Sequence, residues 1–317
     1  MKGFLKFIGW LIALALITLY TMRSPDSDPK EMLAKYGQTP SKFLKLEDHL
    51  VIHMRDEGPE GAPVIVLLHG SNADLHTWQP WVESLEGKYR VIRYDQIGHG
   101  LTGADPQGDY SIAGQEARLA QIVDRLGLRK FVLAGNSMGG NLALAYAMKH
   151  PDRLSGLVLV DAGGAPTTQQ GKSNIGFKLA ATPGVSWLMQ EVTPRFVVEK
   201  SLRQSVANQK IVTDAMIDRY WELLRYPGNR AATMKRFALP RVPFTTQQMA
   251  GIKVPTLIMW GEEDSLIPFQ AAKVFNAAIP GSKLVSYKGI GHLPMEENAA
   301  QSAADLQAWL AANLPPR

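Results

Sequence analysis

The chain has 317 residues, 45% hydrophobic and 20% charged, with a net charge of +5. That composition excludes a disordered or collagen-like chain, and the length suits one large α/β domain or two small ones. The basic excess is too small to point to nucleic acid, and the absence of cysteine excludes disulfides, thiolate catalysis and cysteine-ligated metal centres.

Residues 1–22 stand apart from the rest of the chain. Residues 7–22 carry no charge and are rich in Leu, Ile and Ala, with Lys2 and Lys6 before them and Arg23 after. A helix crosses a bilayer with about 20 apolar residues, roughly 17 at the lower limit. Residues 4–22 reach that limit if Lys6 snorkels to the headgroups, and Trp10 and Tyr20 suit the two interfaces. Residues 19–23 offer no A-x-A pattern, so a transmembrane anchor is expected ahead of a cleaved signal, which would release a secreted domain, or a peripheral helix. The short basic tail resembles that of a signal anchor. It places the domain outside the cytoplasm, in the periplasm of a bacterium. Residues 23–40 are polar, hold three prolines, and read as a tether.

Strand patterns then recur. Residues 49–54 alternate, as in a half-exposed strand. Residues 64–68, 91–94, 131–134, 157–160 and 256–260 are short continuous apolar runs, which suit strands buried on both faces of a parallel sheet. Residues 283–287 read as a last strand. Helical spacing near 3.6 marks 112–126 and 138–149, and Pro151 stops the second. Repeated β-then-α order predicts a doubly wound sheet, with a core of residues 41–162 and 251–317.

Residues 163–250 break that rhythm. Helix-like pieces at 185–190, 213–225 and 229–237 are interrupted by Pro183, Pro194, Pro227 and Pro240. A segment this long is not a plain loop in a compact domain. It reads as a helical cap over the carboxyl end of the sheet. It holds 12 Lys and Arg against 5 Asp and Glu, a net +7. Either that charge covers a solvated surface, or it faces anionic lipid headgroups.

The most informative segment runs from Phe131 through Gly135-Asn136-Ser137-Met138-Gly139-Gly140. It is a G-x-S-x-G pattern between a buried strand and a helix, the setting of a nucleophilic serine on a tight turn. Gly135 and Gly139 supply the missing side chains such a turn requires. The helix opening at Met138 aims its positive end at the reaction, and the Met138 amide is a candidate oxyanion donor. The competing reading is an anion-binding turn. However, neither G-x-G-x-x-G nor a Gly-Lys-Ser/Thr loop is present.

Three further strand ends supply partners. After residues 64–68 comes His69-Gly70-Ser71-Asn72, where Ser71 offers a second oxyanion amide and His69 reads as a turn-stabilising hydrogen bonder. Asp95-Gln96-Ile97-Gly98-His99-Gly100 reads as a structural loop, with His99 not catalytic. After 256–260 comes Gly261-Glu262-Glu263-Asp264, where Asp264 is the candidate orienting acid, with Glu262 and Glu263 as immediate rivals and Asp161 a distant one. Gly291-His292-Leu293 follows the last strand, and His292 is the candidate general base. The order Ser137, Asp264, His292 makes one mechanism of acyl transfer.

These motifs identify a resemblance. From about residue 43 to 314 the chain resembles an α/β-hydrolase-fold protein of the capped serine esterase/lipase type. The resemblance implies a mostly parallel eight-stranded sheet with a helical cap, here 163–250. It implies nothing sharp about substrate, because the fold hosts many reactions; a small-molecule acyl ester is expected, with no cofactor, no metal and no nucleic acid. Trp187, Phe196, Trp221, Met189 and Met216 supply apolar surface either for an acyl pocket or for the cap's own core. Ser137 as nucleophile disfavours haloalkane dehalogenases and epoxide hydrolases, and the lack of H-G-G-G disfavours the hormone-sensitive-lipase-like group. Gly135–Gly140 also resembles the carbon–carbon hydrolases of aromatic ring-cleavage pathways. Those usually carry Trp after the catalytic His and G-x-G-P-G after the His-Gly turn, where this chain has Leu293 and Ser71-Asn72-Ala73. The expected activity is therefore that of a membrane-anchored serine carboxylesterase or lipase-like hydrolase acting on neutral acyl esters. A carbon–carbon or other serine acyl hydrolase is the alternative. The intact Ser137, Asp264 and His292 argue against a non-catalytic binding module.

Overall fold

The apolar runs become the strands of a computed structural model, which describes residues 2–167, 169, 171–172, 175, 178–179, 182, 188 and 190–314. The strands are β1 (Ser41–Lys45), β2 (Val51–Glu57), β3 (Val64–Leu68), β4 (Arg90–Tyr94), β5 (Phe131–Asn136), β6 (Leu154–Val160), β7 (Thr256–Gly261) and β8 (Lys283–Tyr287). They form one sheet in the order β1-β2-β4-β3-β5-β6-β7-β8. β2 pairs antiparallel with β1 and β4, and every other pairing is parallel.

The helices are α1 (Lys2–Thr21), α2 (Pro29–Tyr36), α3 (Gln79–Leu85), α4 (Ile112–Arg125), α5 (Met138–Lys149), α6 (Arg195–Ser205), α7 (Asp214–Leu224), α8 (Asn229–Ala238), α9 (Thr246–Ala250), α10 (Gln270–Ala278), α11 (Pro294–Glu297) and α12 (Ala299–Asn313). Strand alternation divides the core in two. Leu133 joins Leu144, Trp260 and Phe275 on one face. Its neighbours Val132 and Ala134 join Trp81, Leu306 and Trp309 on the other. Both faces are covered, which is why the central strands read as continuous apolar runs rather than alternating ones. α4 starts where the Ser111 side chain accepts the Gly114 amide, and it buries Leu119, Ile122 and Val123.

Between β6 and β7 the described residues form helices α6 to α9 and no strand. Thr213 caps α7, which buries Met216, Ile217, Tyr220 and Leu223. Gly228, at φ +85, turns the chain into α8. Pro183, Trp187, Met189 and most of the helix-like piece at 185–190 lie outside the described residues. Several cations of this segment are already paired. Arg195 binds Asp214 and Asp218, Arg219 binds Asp74, and Arg230 binds Asp26.

The amino terminus corrects two expectations. Among the described residues no helix is long and apolar enough to cross a membrane. α1 has 20 residues, but Lys2 and Lys6 lie in its first turns and leave a charge-free part of 15 residues, 7–21. That is short of the roughly 17 needed for the expected transmembrane helix. Residues 23–36 also do not behave as a solvated tether. Ser24 N donates to Glu191 O (2.8 Å), Ser27 Oγ to Glu222 O (2.7 Å), and Arg230 Nη1 to Ser24 O (2.7 Å). Asp28 caps α2, whose Met32 and Tyr36 are buried with Leu101 and Leu223. Polar residues that composition assigns to a linker find backbone partners here, and the segment becomes a strap docked on α7 and α8.

Candidate active site

The carboxyl ends of β3, β5, β6, β7 and β8 converge on one place. Ser137 sits between β5 and α5 at φ +54 and ψ −114, a conformation that costs a non-glycine residue roughly 1–3 kcal/mol. The surroundings hold it there. Ser137 N donates to Val160 O (3.1 Å), and Gly163 N and Asn141 N donate to Ser137 O (2.9 and 3.0 Å). The flanking glycines are required by space. A Cβ on Gly135 would lie 2.2 Å from Gly139 O, and one on Gly139 would lie 2.2 Å from Leu68 O. Met138 is the first residue of α5, so its amide belongs to the positive end of that helix.

The turn after β3 abuts this one. A Cβ on Gly70 would come within 3.3 Å of Ser137 Cβ, which puts Ser71 beside the serine turn. His69 is buried in a purely structural network. Its Nε2 accepts the Gln96 amide (3.0 Å), so Nδ1 carries the proton and donates to Gly70 O (2.8 Å). Burial lowers its pKa and keeps the ring neutral. His99, also buried and pushed further down by burial, donates Nδ1 to Ile97 O (3.0 Å) and meets His69 edge-on. Asp95 accepts the amides of Leu75 and Leu101 (2.8 Å each) and is occupied as a loop anchor.

Asp264 and His292 meet after β7 and β8. Asp264 Oδ2 lies 2.7 Å from His292 Nδ1, while its Oδ1 accepts the amides of Leu266 (2.8 Å) and Ile267 (3.1 Å). Both residues are buried, at 6% and 5% exposure. The arrangement sets the imidazole tautomer, with the proton on Nδ1 and Nε2 free to accept one. The loops approach so closely that a Cβ on Gly261 would lie 1.9 Å from Gly291 O. Asn136 Nδ2 donates to His292 O (3.1 Å) and ties the histidine loop to the serine turn. Of the rival acids, Glu262 and Glu263 are exposed, and Glu262 accepts the Ser286 hydroxyl (2.7 Å).

Asp161 is different. It is fully buried, and its carboxyl oxygen, one of Asp264 and a His292 nitrogen all lie within 4.8 Å of one another. Among the described residues this is the one group of three His, Asp or Glu close enough to hold a metal ion. Within it, Asp264 Oδ2 and His292 Nδ1 are engaged in their mutual hydrogen bond.

Two organising residues escape sequence reading. Glu297 accepts the amides of Gly291 (3.0 Å), Ala207 (2.8 Å) and Asn208 (3.0 Å), so it fastens the histidine loop to the end of α6. Arg219 of α7 reaches Asp74 at 3.1 Å and joins the helical segment to the core. A half-buried acid three residues after Pro294 and an arginine on an amphipathic helix carry no local signal of such distant partners.

A cavity with about 700 Å³ of empty space, part of it open to solvent, lies between the turn after β3 and helices α6, α7 and α8. Val197, Val198, Leu202, Tyr220, Leu224 and Met234 line it, and Ser71 and Asn72 belong to its wall. Asn72 Oδ1 accepts hydrogen bonds from Thr233 Oγ1 (3.2 Å) and Arg236 Nη2 (3.3 Å), which couples α8 to the turn after β3.

Comparison with known proteins places this geometry. A family model described as alpha/beta hydrolase fold matches residues 63–299. The 2-hydroxy-6-oxo-2,4-heptadienoate hydrolase of Pseudomonas putida is 29% identical over 248 residues, which span 75% of this chain and 85% of that protein. Lipase 3 of a Moraxella species is 25% identical over 268 residues, 82% of this chain and 80% of the lipase. Among solved structures, a bacterial membrane phospholipase A matches with a TM-score of 0.77 and 25% identity over 100% of both chains.

Proposed function

The chain belongs to the alpha/beta hydrolase fold family, and on that premise we propose that it is a serine hydrolase cleaving carboxylic esters through Ser137, His292 and Asp264. Ser137 Oγ attacks the acyl carbon while His292 Nε2 takes its proton. Asp264 holds the ring and stabilises its positive charge. The amides of Met138 and Ser71 receive the oxyanion, where losing one donor typically costs roughly 3–4 kcal/mol of barrier. Water then cleaves the acyl-enzyme. One observation carries the choice of ester: the space beside Ser71 is walled largely by apolar side chains, Val197, Val198 and Leu202 of α6, Leu224 of α7 and Met234 of α8, which suit an acyl chain.

The similarity to a ring-cleavage hydrolase supports a second reading, carbon–carbon bond hydrolysis. Against it stand Leu293 and Ser71-Asn72-Ala73, where the resembling enzymes carry Trp and G-x-G-P-G. A profile of kcat/KM over p-nitrophenyl esters of rising acyl length, run beside a 2-hydroxy-6-oxo-dienoate, separates the two. Ester turnover that rises with chain length and vanishes in Ser137→Ala is expected. Faster cleavage of the dienoate than of every ester would reverse the assignment.

We further propose that the protein works at a membrane surface. Phe4, Phe7, Trp10, Leu14 and Ile17 of α1 are exposed, as are Lys200 and Lys210 of the helical segment. Attachment by partial burial of α1 in one leaflet fits a helix of this length. Fractionation of the full chain into a salt-washed membrane pellet is expected. A soluble processed chain lacking residues 1–22 would instead indicate a cleaved signal.

A further inference from the structure

The proposed reaction uses one carboxylate, Asp264, yet a second carboxyl group stands against it. Asp161 follows β6 at φ +43 and is wholly buried. Its Oδ1 accepts the Gly261 amide at 3.0 Å, and its Oδ2 has no hydrogen-bond partner among the described residues. Two ionised carboxylates with oxygens within 4.8 Å have no proton to share and repel each other. A hydrogen bond between them forms only if one of them is protonated. Asp264 already accepts from His292 and from two amides, whereas Asp161 accepts from one. Three donors favour the charge on Asp264, so the proton belongs on Asp161.

We propose that Asp161 is a positioning residue for the triad: in its neutral form it donates to Asp264, and it is a reserve acid able to orient His292 when Asp264 is neutralised. This rests on the assignment of Ser137, His292 and Asp264 made above. The titratable groups that face Asp161 are Asp264, His292, Tyr287 of β8 and Glu297 of α11. Burial first, and the Asp264 charge second, raise the Asp161 carboxyl well above the ordinary range. Replacing Asp264 with its neutral isostere removes that repulsion. Burial still raises the Asp161 carboxyl, but it gives up its proton at lower pH than in the parent, and the carboxylate, in the same 4.8 Å cluster, then accepts a hydrogen bond from His292 Nδ1.

The test is a double-mutant cycle of Asp161→Asn and Asp264→Asn on kcat/KM for a short soluble ester, with fluorophosphonate labelling of Ser137 as a second readout. Asp161→Ala removes the donor to Asp264 and should fall about 10-fold in kcat with KM unchanged, and Asp161→Asn, which restores a neutral donor, should recover part of that loss; equal activity of the two variants overturns the positioning role. Asp264→Asn should fall about 10²-fold. The double variant should fall to about 10⁴-fold below the parent, the loss typical of a triad whose acid is fully neutralised. Residual activity of Asp264→Asn should also climb with pH as Asp161 ionises, over a limb missing from the double variant. Serine replaces asparagine at either position (Asp161→Ser, Asp264→Ser) where the first variant does not fold. Equal activity in Asp264→Asn and the double variant, with Ser137→Ala inactive, overturns the reserve acid alone. An active Ser137→Ala overturns the triad beneath it.

Discussion

Gly139→Ala puts the geometry of the serine turn to a quantitative test. The added Cβ would lie 2.2 Å from Leu68 O, 2.6 Å from Leu68 C and 2.7 Å from His69 O. Real Cβ contacts essentially never fall below 3.0 Å, so α5 and the end of β3 must separate by about 0.8 Å. All the close atoms are backbone, and no side chain can swing away. The displaced parts carry Ser137 on one side and the Gly70–Ser71 turn on the other. A misplacement of about 1 Å at a reacting centre typically costs about 10²-fold, and overpacking a tight contact costs about 1–3 kcal/mol of stability. The expected result is a kcat about 100-fold lower on a short soluble ester, with Tm lowered by several degrees. Gly87→Ala is the control, since a Cβ there meets nothing within 4 Å. A Gly139→Ala enzyme within 3-fold of the parent in kcat and unchanged in Tm would refute the claim that this packing holds the nucleophile.

Three other outcomes follow from the same contacts. Ser137→Ala should lose roughly 10⁴-fold or more in turnover with the thermal melt preserved; a tenth of parental activity in the purified variant would remove the nucleophile. Deleting residues 1–22 should leave an active enzyme. Deleting 1–28 should lower Tm further, because it strips the Ser24, Asp26 and Ser27 contacts from α7 and α8, each hydrogen bond being worth about 1 kcal/mol. Identical melts for the two truncations would mean that the strap contributes nothing. The proton on Asp161 gives a pH signature. Its folded-state pKa is raised, so the stability it contributes is complete below about 3.8 and is lost as pH rises through the raised value. The Tm of Asp161→Asn relative to the parent should therefore increase from pH 4 to pH 8, and a pH-independent difference would place the proton elsewhere.

Much of the site is legible in the chain because its requirements are local. Gly135 and Gly139 are needed within two residues of Ser137, and β5 and α5 announce themselves by an apolar run and a 3.6-residue spacing. Asp264 and His292 can be named because each follows a strand, and strand ends in a parallel sheet lie on one edge. The relations across the sheet are not local, and only the tertiary structure decided them. Asp161 and Asp264 are far apart in the chain, and nothing around either marks their contact. That contact follows from the pairing of β6 with β7, which brings both strand ends to one edge. The same holds for residues 23–28. Their polarity predicts solvent, because composition does not distinguish a hydrogen bond to water from one to the backbone of Glu191, Glu222 or Arg225. α1 shows the converse limit: its apolar composition is plain in the sequence, but whether it can span depends on where Lys6 falls within the helical turns. Backbone geometry and strand ends are therefore determined residue by residue, while charge pairing and docking are decided only by which distant groups the sheet brings together.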